Sequence, residues 1–234
     1  MNDEVSLYQG LLTTRAIRRY ADEPIPDEAL RDILFAATRA PSGSNRQPFR
    51  FMVLRDGPVA AEAKRLIGVG AMQFWAAKRA EDGYDEGSGA EADSPKARMA
   101  RTMEHYVDNF ASVPVLVLAC YVPYRSHSAK TDGASVYPAC QNLLLAARAL
   151  GYGGVLTGLH HFAEPELREL LHVPEAVEFM ATITLGRPLG RHGPVRRRPL
   201  PELVFGEQWG QPPGWAVDPP GVRHTSAGPP RASQ

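Results

Sequence analysis

The chain has little cysteine and no excess of charge of either sign. Its 234 residues include two cysteines, and 26 basic and 26 acidic residues give a formal net charge of zero. Cys120 and Cys140 lie in apolar segments, far apart and without metal-ligand spacing, which favours buried free thiols over a disulfide or a zinc site. The balanced charge argues against nucleic-acid or membrane-surface partners, because such binding usually leaves a basic excess.

Long apolar runs are also missing. No segment approaches the ~20 consecutive apolar residues that a membrane-spanning helix needs. The opening Met1-Asn-Asp-Glu lacks the basic and apolar start of a signal peptide. We therefore expect a cytoplasmic protein without a membrane partner.

Several catalytic motifs are absent as well. The chain contains no Gly-x-Ser-x-Gly elbow, no His-Glu-x-x-His helix and no phosphate loop with its lysine, so hydrolytic chemistry has no candidate constellation. The glycine pairs at 68–70 and 151–153 lack the order of strand, third glycine and helix that dinucleotide binding requires. His160 and His161 would point to opposite faces of a regular strand, which favours structural or cleft-lining histidines over metal ligands. We predict no metal site.

The chain is instead rich in polar and turn-forming residues between Ala40 and Phe49. A helix predicted over Asp27–Arg39 precedes this loop, and a strand predicted over Phe49–Leu54 follows it. The prolines set the backbone, the glycine permits close approach to a partner, and the hydroxyl and amide groups both donate and accept hydrogen bonds. An ordinary turn is the alternative interpretation. The loop residues that we predict to bind a ligand are Pro41, Ser42, Gly43, Asn45 and Gln47.

Three arginines lie upstream of this loop. Arg15, Arg18 and Arg19 have helical spacing near the end of a candidate first helix, so that two of them can share a face. The planar guanidinium group suits the oxygens of a phosphate. A solvated basic face is the alternative interpretation.

Together, Arg15-x-x-Arg18-x-Tyr20 and the loop Ala-Pro-Ser-Gly-x-Asn-x-Gln-Pro-Phe resemble the opening of the FMN-dependent nitroreductase family. The resemblance implies that Arg15 and Arg18 bind the FMN phosphate and that the loop binds the ribityl chain and the flavin ring. Many members have Arg-Arg-Ser where this chain has Thr14-Arg15-Ala16. We therefore expect arginines near the C-terminus to contribute more to the phosphate site.

The second half of the chain resembles the same family more loosely. Apolar patterns predict strands over 113–120, 153–158 and 179–185 and a helix over 139–150, which we expect in the core or at a subunit interface. Ser94-Pro95 opens a further predicted helix through Val107. In the family, the turn after the second of these strands approaches the reactive edge of the flavin. By resemblance Thr157 and Gly158 take that place, with the Gly158 backbone near flavin N5 and no catalytic side chain.

A basic segment near the end, Pro194–Leu200, resembles the part of the family that closes over the FMN phosphate. The resemblance implies that Arg196 and Arg197 bind this phosphate, with Arg197 as the first choice. A solvated patch is again the alternative interpretation.

The resemblance also implies the fold and its organisation. It implies an α+β fold, a three-layer α/β/α sandwich with a mixed central sheet and a C-terminal extension exchanged across a homodimer. We expect an FMN-binding domain over 1–210, with a mobile insertion over 80–94 near the cleft. The Pro/Gly-rich tail over 211–234 is expected to be flexible.

The function implied is that of an FMN-dependent oxidoreductase. Non-covalently bound FMN takes hydride from NAD(P)H and reduces a nitroaromatic, quinone or similar flat electron-poor acceptor by a ping-pong mechanism. The alternatives are a specialised flavoenzyme on the same fold (a dehydrogenase, a dehalogenase or a flavin-fragmenting enzyme) or a non-catalytic FMN-binding protein. The choice between NADH and NADPH and the identity of the acceptor stay open at this point.

Overall fold

A four-stranded antiparallel sheet forms the centre of the structure. The computed structural model describes residues 5–124 and 129–225. The strand order is β1-β2-β4-β3, so β1 and β3 are the edges. Every strand pair within the described ranges is antiparallel, which differs from the mixed sheet expected above. The strands are β1 Phe49–Leu54, β2 Val115–Tyr121, β3 Gly153–Thr157 and β4 Glu178–Gly186.

Helices cover both faces of this sheet and produce three layers, α/β/α, as predicted. α2 and α5 pack on one face, and α3, α4 and α6 pack on the other. Because β2 is central and covered on both faces, all seven of its residues are buried, which explains its continuous apolar sequence. The α-helices of the described residues are α1 Leu7–Thr13, α2 Asp27–Ala37, α3 Pro58–Glu81, α4 Pro95–Asp108, α5 Ala129–Ala149 and α6 Glu164–Leu170.

The first core lies between the sheet and the pair α2 and α5. Ala139, Leu143 and Ala147 of α5 are fully buried, at the spacing of one helix face. They pack with Ile33 of α2 and with the inward residues of the central strands. The helix predicted over 139–150 is therefore confirmed as a core helix, although it begins ten residues earlier and contains Pro138.

The second core depends on α3, which the sequence patterns did not predict. Ala63, Ile67, Ala71 and Trp75 repeat every four residues and face the sheet, all buried. The helix continues to Glu81 and so includes the first residues of the predicted insertion at 80–94. The rest of that segment consists of turns and a short 3-10 helix. Its mobility stays a prediction.

The segment that carries Arg15, Arg18 and Arg19 is extended, so the prediction that it ends the first helix is wrong. α1 ends at Thr13, and Thr14 is already extended. Beyond it the Ile17 N–H donates to the Gly154 carbonyl at 2.9 Å and the Leu189 N–H donates to the Arg19 carbonyl at 3.1 Å. These bonds to distant segments outweigh the local helical preference. Gly153 permits the approach, because a Cβ there would lie 2.7 Å from Ile17 Cγ1.

The last part of the described chain is largely irregular and exposes large apolar side chains. Trp209 is 91% exposed and Trp215 is 73% exposed. The exchange of this extension across a dimer stays a prediction, and residues 226–234 of the predicted tail lie outside the described residues.

Cys120 and Cys140 are free and buried, as predicted. No helix within the described ranges combines the length and apolar character needed to cross a bilayer.

Candidate functional site

A cavity of about 740 Å³ lies beside the β3 edge of the sheet and is strongly basic. The extended segment 15–19 forms one wall, residues 189–196 form a second, and α4 forms the third. None of the described residues that line it is Asp or Glu. The arginines that line it are Arg15, Arg18, Arg19, Arg98, Arg191 and Arg196.

One backbone and one side-chain hydrogen bond hold the first two walls together. The Gly193 N–H donates to the Thr13 carbonyl at 3.2 Å, and the Arg15 guanidinium donates to the Arg191 carbonyl at 2.6 Å. Arg15 is therefore oriented across the gap between the two walls. Residues almost 180 positions apart in sequence thus converge on one cavity.

Arg18 contributes to this cavity a buried hydrogen-bond donor without an acceptor in the described chain. Its Nε is buried and has no hydrogen-bond partner within the described residues. A buried donor without an acceptor costs about 1–3 kcal/mol, so a ligand oxygen at this position would be stabilised. The donor set, guanidinium groups without a competing carboxylate, fits the phosphate of FMN.

The third wall is tied to the first through a buried hydroxyl group. Thr184 Oγ1 of β4 lies 2.8 Å from the Tyr20 hydroxyl and 3.0 Å from the Tyr106 hydroxyl of α4. Burial raises the pKa of Tyr106 to about 12, whereas its hydrogen bond to Thr184 and the charge of Arg18 act in the opposite direction. Tyr106 is therefore a neutral hydrogen-bonding group that positions α4.

The polar loop at 41–47 has a strained backbone. Ser44, Asn45 and Gln47 all have φ close to +50°, a conformation that non-glycine residues rarely adopt. The Gln47 N–H donates to Ser42 Oγ at 2.9 Å, and the Gly43 N–H donates to Ser135 Oγ of α5 at 3.1 Å. Such strain clusters at ligand-binding segments, which agrees with the role predicted for this loop.

One chain does not bring this loop and the arginines together. The loop precedes β1, whereas segment 15–19 bonds to β3, and these strands are the opposite edges of the sheet. Three interstrand spacings separate the two edges, roughly 14 Å. Thr157 and Gly158 end β3 and lie on the same edge as the arginines. The predicted residues therefore fall into two groups within a single chain.

The two arginines predicted near the C-terminus differ in position. Arg196 lines the cavity. Arg197, which was the first choice for binding the phosphate, is not among the described residues that line it. The Arg197 carbonyl instead accepts from the Thr225 N–H at 3.0 Å. Of these two arginines, Arg196 is therefore the one placed to contact a ligand in this cavity.

Sequence patterns missed two further residues of the cavity walls. Arg98 and Arg191 lie in segments without a recognisable motif, and no local signal could assign them to the site. Arg98 shares one face of α4 with Pro95, Met99 and Thr102, all of which line the cavity.

The two histidines lie close together, which differs from the opposite orientation expected for a strand. Residues 159–162 form a 3-10 turn, and the ring centroids of His160 and His161 are 4.0 Å apart. His161 is exposed and its Cδ2 lies 3.2 Å from the position of a Cβ on Gly158. His160 is fully buried, and its Nδ1 lies 3.0 Å from Thr182 Oγ1. No cluster of metal-ligating side chains occurs in the described ranges.

His160 makes the stability of the fold depend on pH. Burial lowers the pKa of His160 to about 4, with the charge of His161 acting in the same direction and Glu164 and the Phe179 carbonyl acting against it. The unfolded chain binds this proton near pH 6.5, so the contribution of His160 is complete above that pH and is lost as the pH falls towards 4. We expect the free energy of unfolding to decrease by roughly 3 kcal/mol across this window on account of His160.

Chemical denaturation at a series of pH values measures this effect. His160→Asn retains a polar group near Thr182 but cannot titrate, so its stability should depend less on pH between 6.5 and 4. The exposed neighbour provides the control, since His161→Asn should retain most of the dependence. Identical pH dependence in wild type and His160→Asn would contradict the assignment.

A family model described as the nitroreductase family matches residues 11–187. An NADH dehydrogenase of Thermus thermophilus is 30% identical over 198 residues, which cover 83% of this chain and 92% of the relative. A protein of Archaeoglobus fulgidus assigned as an NADH dehydrogenase/NAD(P)H nitroreductase is 30% identical over 183 residues, covering 76% of this chain and 83% of the relative.

Solved structures with the same fold include a flavin complex. A protein of Desulfovibrio desulfuricans, assigned as a nitroreductase and crystallised with FMN, superposes with a TM-score of 0.62 at 29% identity. The superposition covers 86% of this chain and 96% of the other. The NADPH:FMN oxidoreductase of Vibrio harveyi shares the fold, with a TM-score of 0.62 at 22% identity over 86% of this chain and 77% of the other.

Proposed function

The chain belongs to the nitroreductase family, and we propose that it is an FMN-dependent oxidoreductase that takes hydride from NAD(P)H. Its acceptor is a nitroaromatic, a quinone or a similar flat electron-poor compound. The observation that carries the proposal is the arginine-lined cavity beside the β3 edge, the strand that ends at Thr157.

The arginines of this cavity would hold the FMN phosphate. Arg15 is already oriented by its bond to the Arg191 carbonyl, and the buried Nε of Arg18 has no acceptor among the residues that the structure describes. Arg196 lies on the facing wall and replaces Arg197 as the expected third contact. Preorganised guanidinium groups lose little side-chain freedom on binding, which favours tight retention.

The protein's remaining task is to place the reacting molecules and exclude water. FMN, when bound, supplies the redox chemistry, taking hydride from the donor and passing it to the acceptor in a ping-pong sequence. Phe162 follows Gly158 by four residues and pairs with Phe74 at a ring-centroid distance of 5.1 Å. Both rings are partly exposed, 49% and 36%, and offer an aromatic surface that suits a flat acceptor.

A second copy of the chain would complete the site. The loop with Asn45 and Gln47 lies on the opposite sheet edge from the arginines, so the arginines of one chain would meet the loop of the other. α1 exposes Leu7, Tyr8 and Leu11, and α2 exposes Phe35, all more than half exposed in the single chain. Such surfaces are typical of permanent dimer interfaces. We infer a homodimer with a C-terminal extension exchanged between subunits.

We also infer a cytoplasmic location. The support comes from Cys120 and Cys140, which are both free and buried, as is usual for proteins of a reducing compartment.

The phosphate assignment predicts a loss of flavin affinity on truncation of Arg18. Purified protein should carry non-covalent FMN, and Arg18→Ala should weaken its binding by about 1.5–3 kcal/mol, the value of one charge-assisted hydrogen bond. Fluorescence titration of flavin-depleted protein with FMN measures the change. Arg31→Ala, which removes an exposed arginine of α2, is the control and should leave the affinity unaltered. Unchanged affinity in Arg15→Ala and Arg18→Ala would remove the assignment.

The catalytic role predicts that a nicotinamide donor reduces the bound flavin. Under anaerobic conditions, addition of NADPH or NADH should bleach the yellow absorbance of the flavin at least as fast as the enzyme turns over. An added quinone should restore the absorbance. Stopped-flow absorbance measures both steps. Persistent yellow colour after addition of either donor would identify a non-catalytic FMN-binding protein instead.

The shared site predicts complementation between two defective chains. A mixed dimer of Arg18→Ala and Asn45→Ala contains one site with both changes and one intact site, because each site takes arginines from one chain and the loop from the other. We expect half of the normal FMN content in purified mixed dimers carrying two different affinity tags. Each homodimer of a single variant serves as the control. If both groups came from the same chain, no site would be intact and the mixed dimer would bind FMN no better than the controls.

A further inference from the structure

The basic cavity contains more positive charge than one flavin phosphate requires. A phosphate monoester carries about −1.5 to −2 charges at neutral pH, which two or three guanidinium groups can match. Arg15, Arg18 and Arg196 already supply that number. Three additional arginines line the same cavity: Arg19, Arg98 and Arg191.

The additional arginines have no counter-charge of their own in the described chain. None of them forms an ion pair with a carboxylate of residues 5–124 or 129–225. Elsewhere the chain pairs its arginines, as with Arg79, which contacts both Asp85 and Glu104. Grouping like charges around one cavity is unfavourable unless an anion is bound there. The cavity is therefore suited to a second anionic group.

α4 presents the side of the cavity that is not assigned to the flavin. Arg98, Met99 and Thr102 face the cavity from this helix, and Arg98 also donates to the Asp93 carbonyl just before the helix. The helix begins at Pro95, next to the cavity, so its N-terminal partial charge adds to that of Arg98. The partly exposed Met99 provides an apolar contact, and Thr102 provides a hydroxyl group.

We propose that Arg98, together with Arg19 and Arg191, binds the 2′-phosphate of NADPH and makes the enzyme select NADPH over NADH. This inference rests on the proposed function, because it takes its ligands from the proposed reaction. Among FMN, the two possible donors and a flat acceptor, only NADPH brings a second phosphate monoester to the site. NADH carries the same diphosphate bridge but no monoester.

Two small nucleotides isolate this contact. Adenosine 2′,5′-bisphosphate and adenosine 5′-monophosphate differ only in the 2′-phosphate, and calorimetric titration of the flavin-loaded protein measures the binding of each. We expect the bisphosphate to bind at least about tenfold more tightly, the factor that corresponds to one charge-assisted hydrogen bond. Arg98→Gln should remove most of this preference without affecting the monophosphate.

A matched control lies three residues further along α4. Arg101 also donates to a backbone carbonyl, that of Ala92, but does not line the cavity. Arg101→Gln removes the same charge from the same helix and should preserve the preference. Arg98→Lys, which retains a positive charge, should preserve part of it. In steady-state kinetics the Arg98→Gln change should raise the KM for NADPH and leave the KM for NADH unaltered.

The outcomes separate this inference from the function on which it rests. Equal affinities of the wild type for both nucleotides, or a preference that survives in Arg98→Gln, would overturn the assignment. An equal loss of the preference for the bisphosphate in Arg98→Gln and Arg101→Gln would also overturn it. The preference would then depend on the total positive charge of the helix and not on a contact made by Arg98. A colourless protein that does not bind FMN would instead contradict the proposed function, and the nucleotide titrations of that protein would still decide the role of Arg98.

Discussion

The hydroxyl group of Thr184 is the point on which the candidate site depends. It lies fully buried in β4, within hydrogen-bonding distance of both Tyr20 and Tyr106. Tyr20 follows the arginine segment, and Tyr106 belongs to α4, so a single buried contact connects two walls of the cavity to the central sheet. Leaving any of these hydroxyls unpaired would cost about 1–3 kcal/mol, which keeps the three elements in one arrangement. The positions of Arg18 and Arg98 follow from this arrangement.

The order of the strands has an equally strong consequence for assembly. An antiparallel sheet of four strands places β1 and β3 at opposite edges, and each edge carries one group of the predicted ligand-binding residues. Neither group can move towards the other, because the core on both faces of the sheet is closely packed. A second chain can supply the missing group without any change in the fold. The strained loop at 44–47 is exposed in the single chain.

Charge is distributed unevenly although its sum is zero. Many exposed arginines have nearby carboxylates, as Arg65 does with Glu62 in α3. The arginines of the cavity differ, since no acidic residue of the described chain lines it. A surface ion pair contributes little to stability, whereas a set of arginines without carboxylate partners creates a field that attracts phosphate groups. The formal net charge of zero therefore says nothing about a local anion site.

The sequence by itself determined the local elements and the family. Periodic apolar residues located α2, α4 and most of the strands to within a few residues, because burial of one face imposes that period on the sequence. Two motifs were sufficient to identify the resemblance to the nitroreductases. Only the tertiary structure decided the conformation of Arg15–Arg19, where helical spacing was misleading and hydrogen bonds to Gly154 and to residues beyond 186 impose an extended chain.

Which residues line the cavity was likewise decided by the tertiary structure. Arg98 carries no motif, and Arg196 and Arg197 are equivalent in sequence, yet only one of these two neighbours lines the cavity within the described chain. α3 remained unpredicted because its buried residues are mostly alanine and glycine and exposed apolar residues lie alongside them, which weakens the contrast between faces. Local patterns report which residues are buried. Which charged side chains meet depends on contacts between segments that are far apart in the chain, and those contacts exist only after folding.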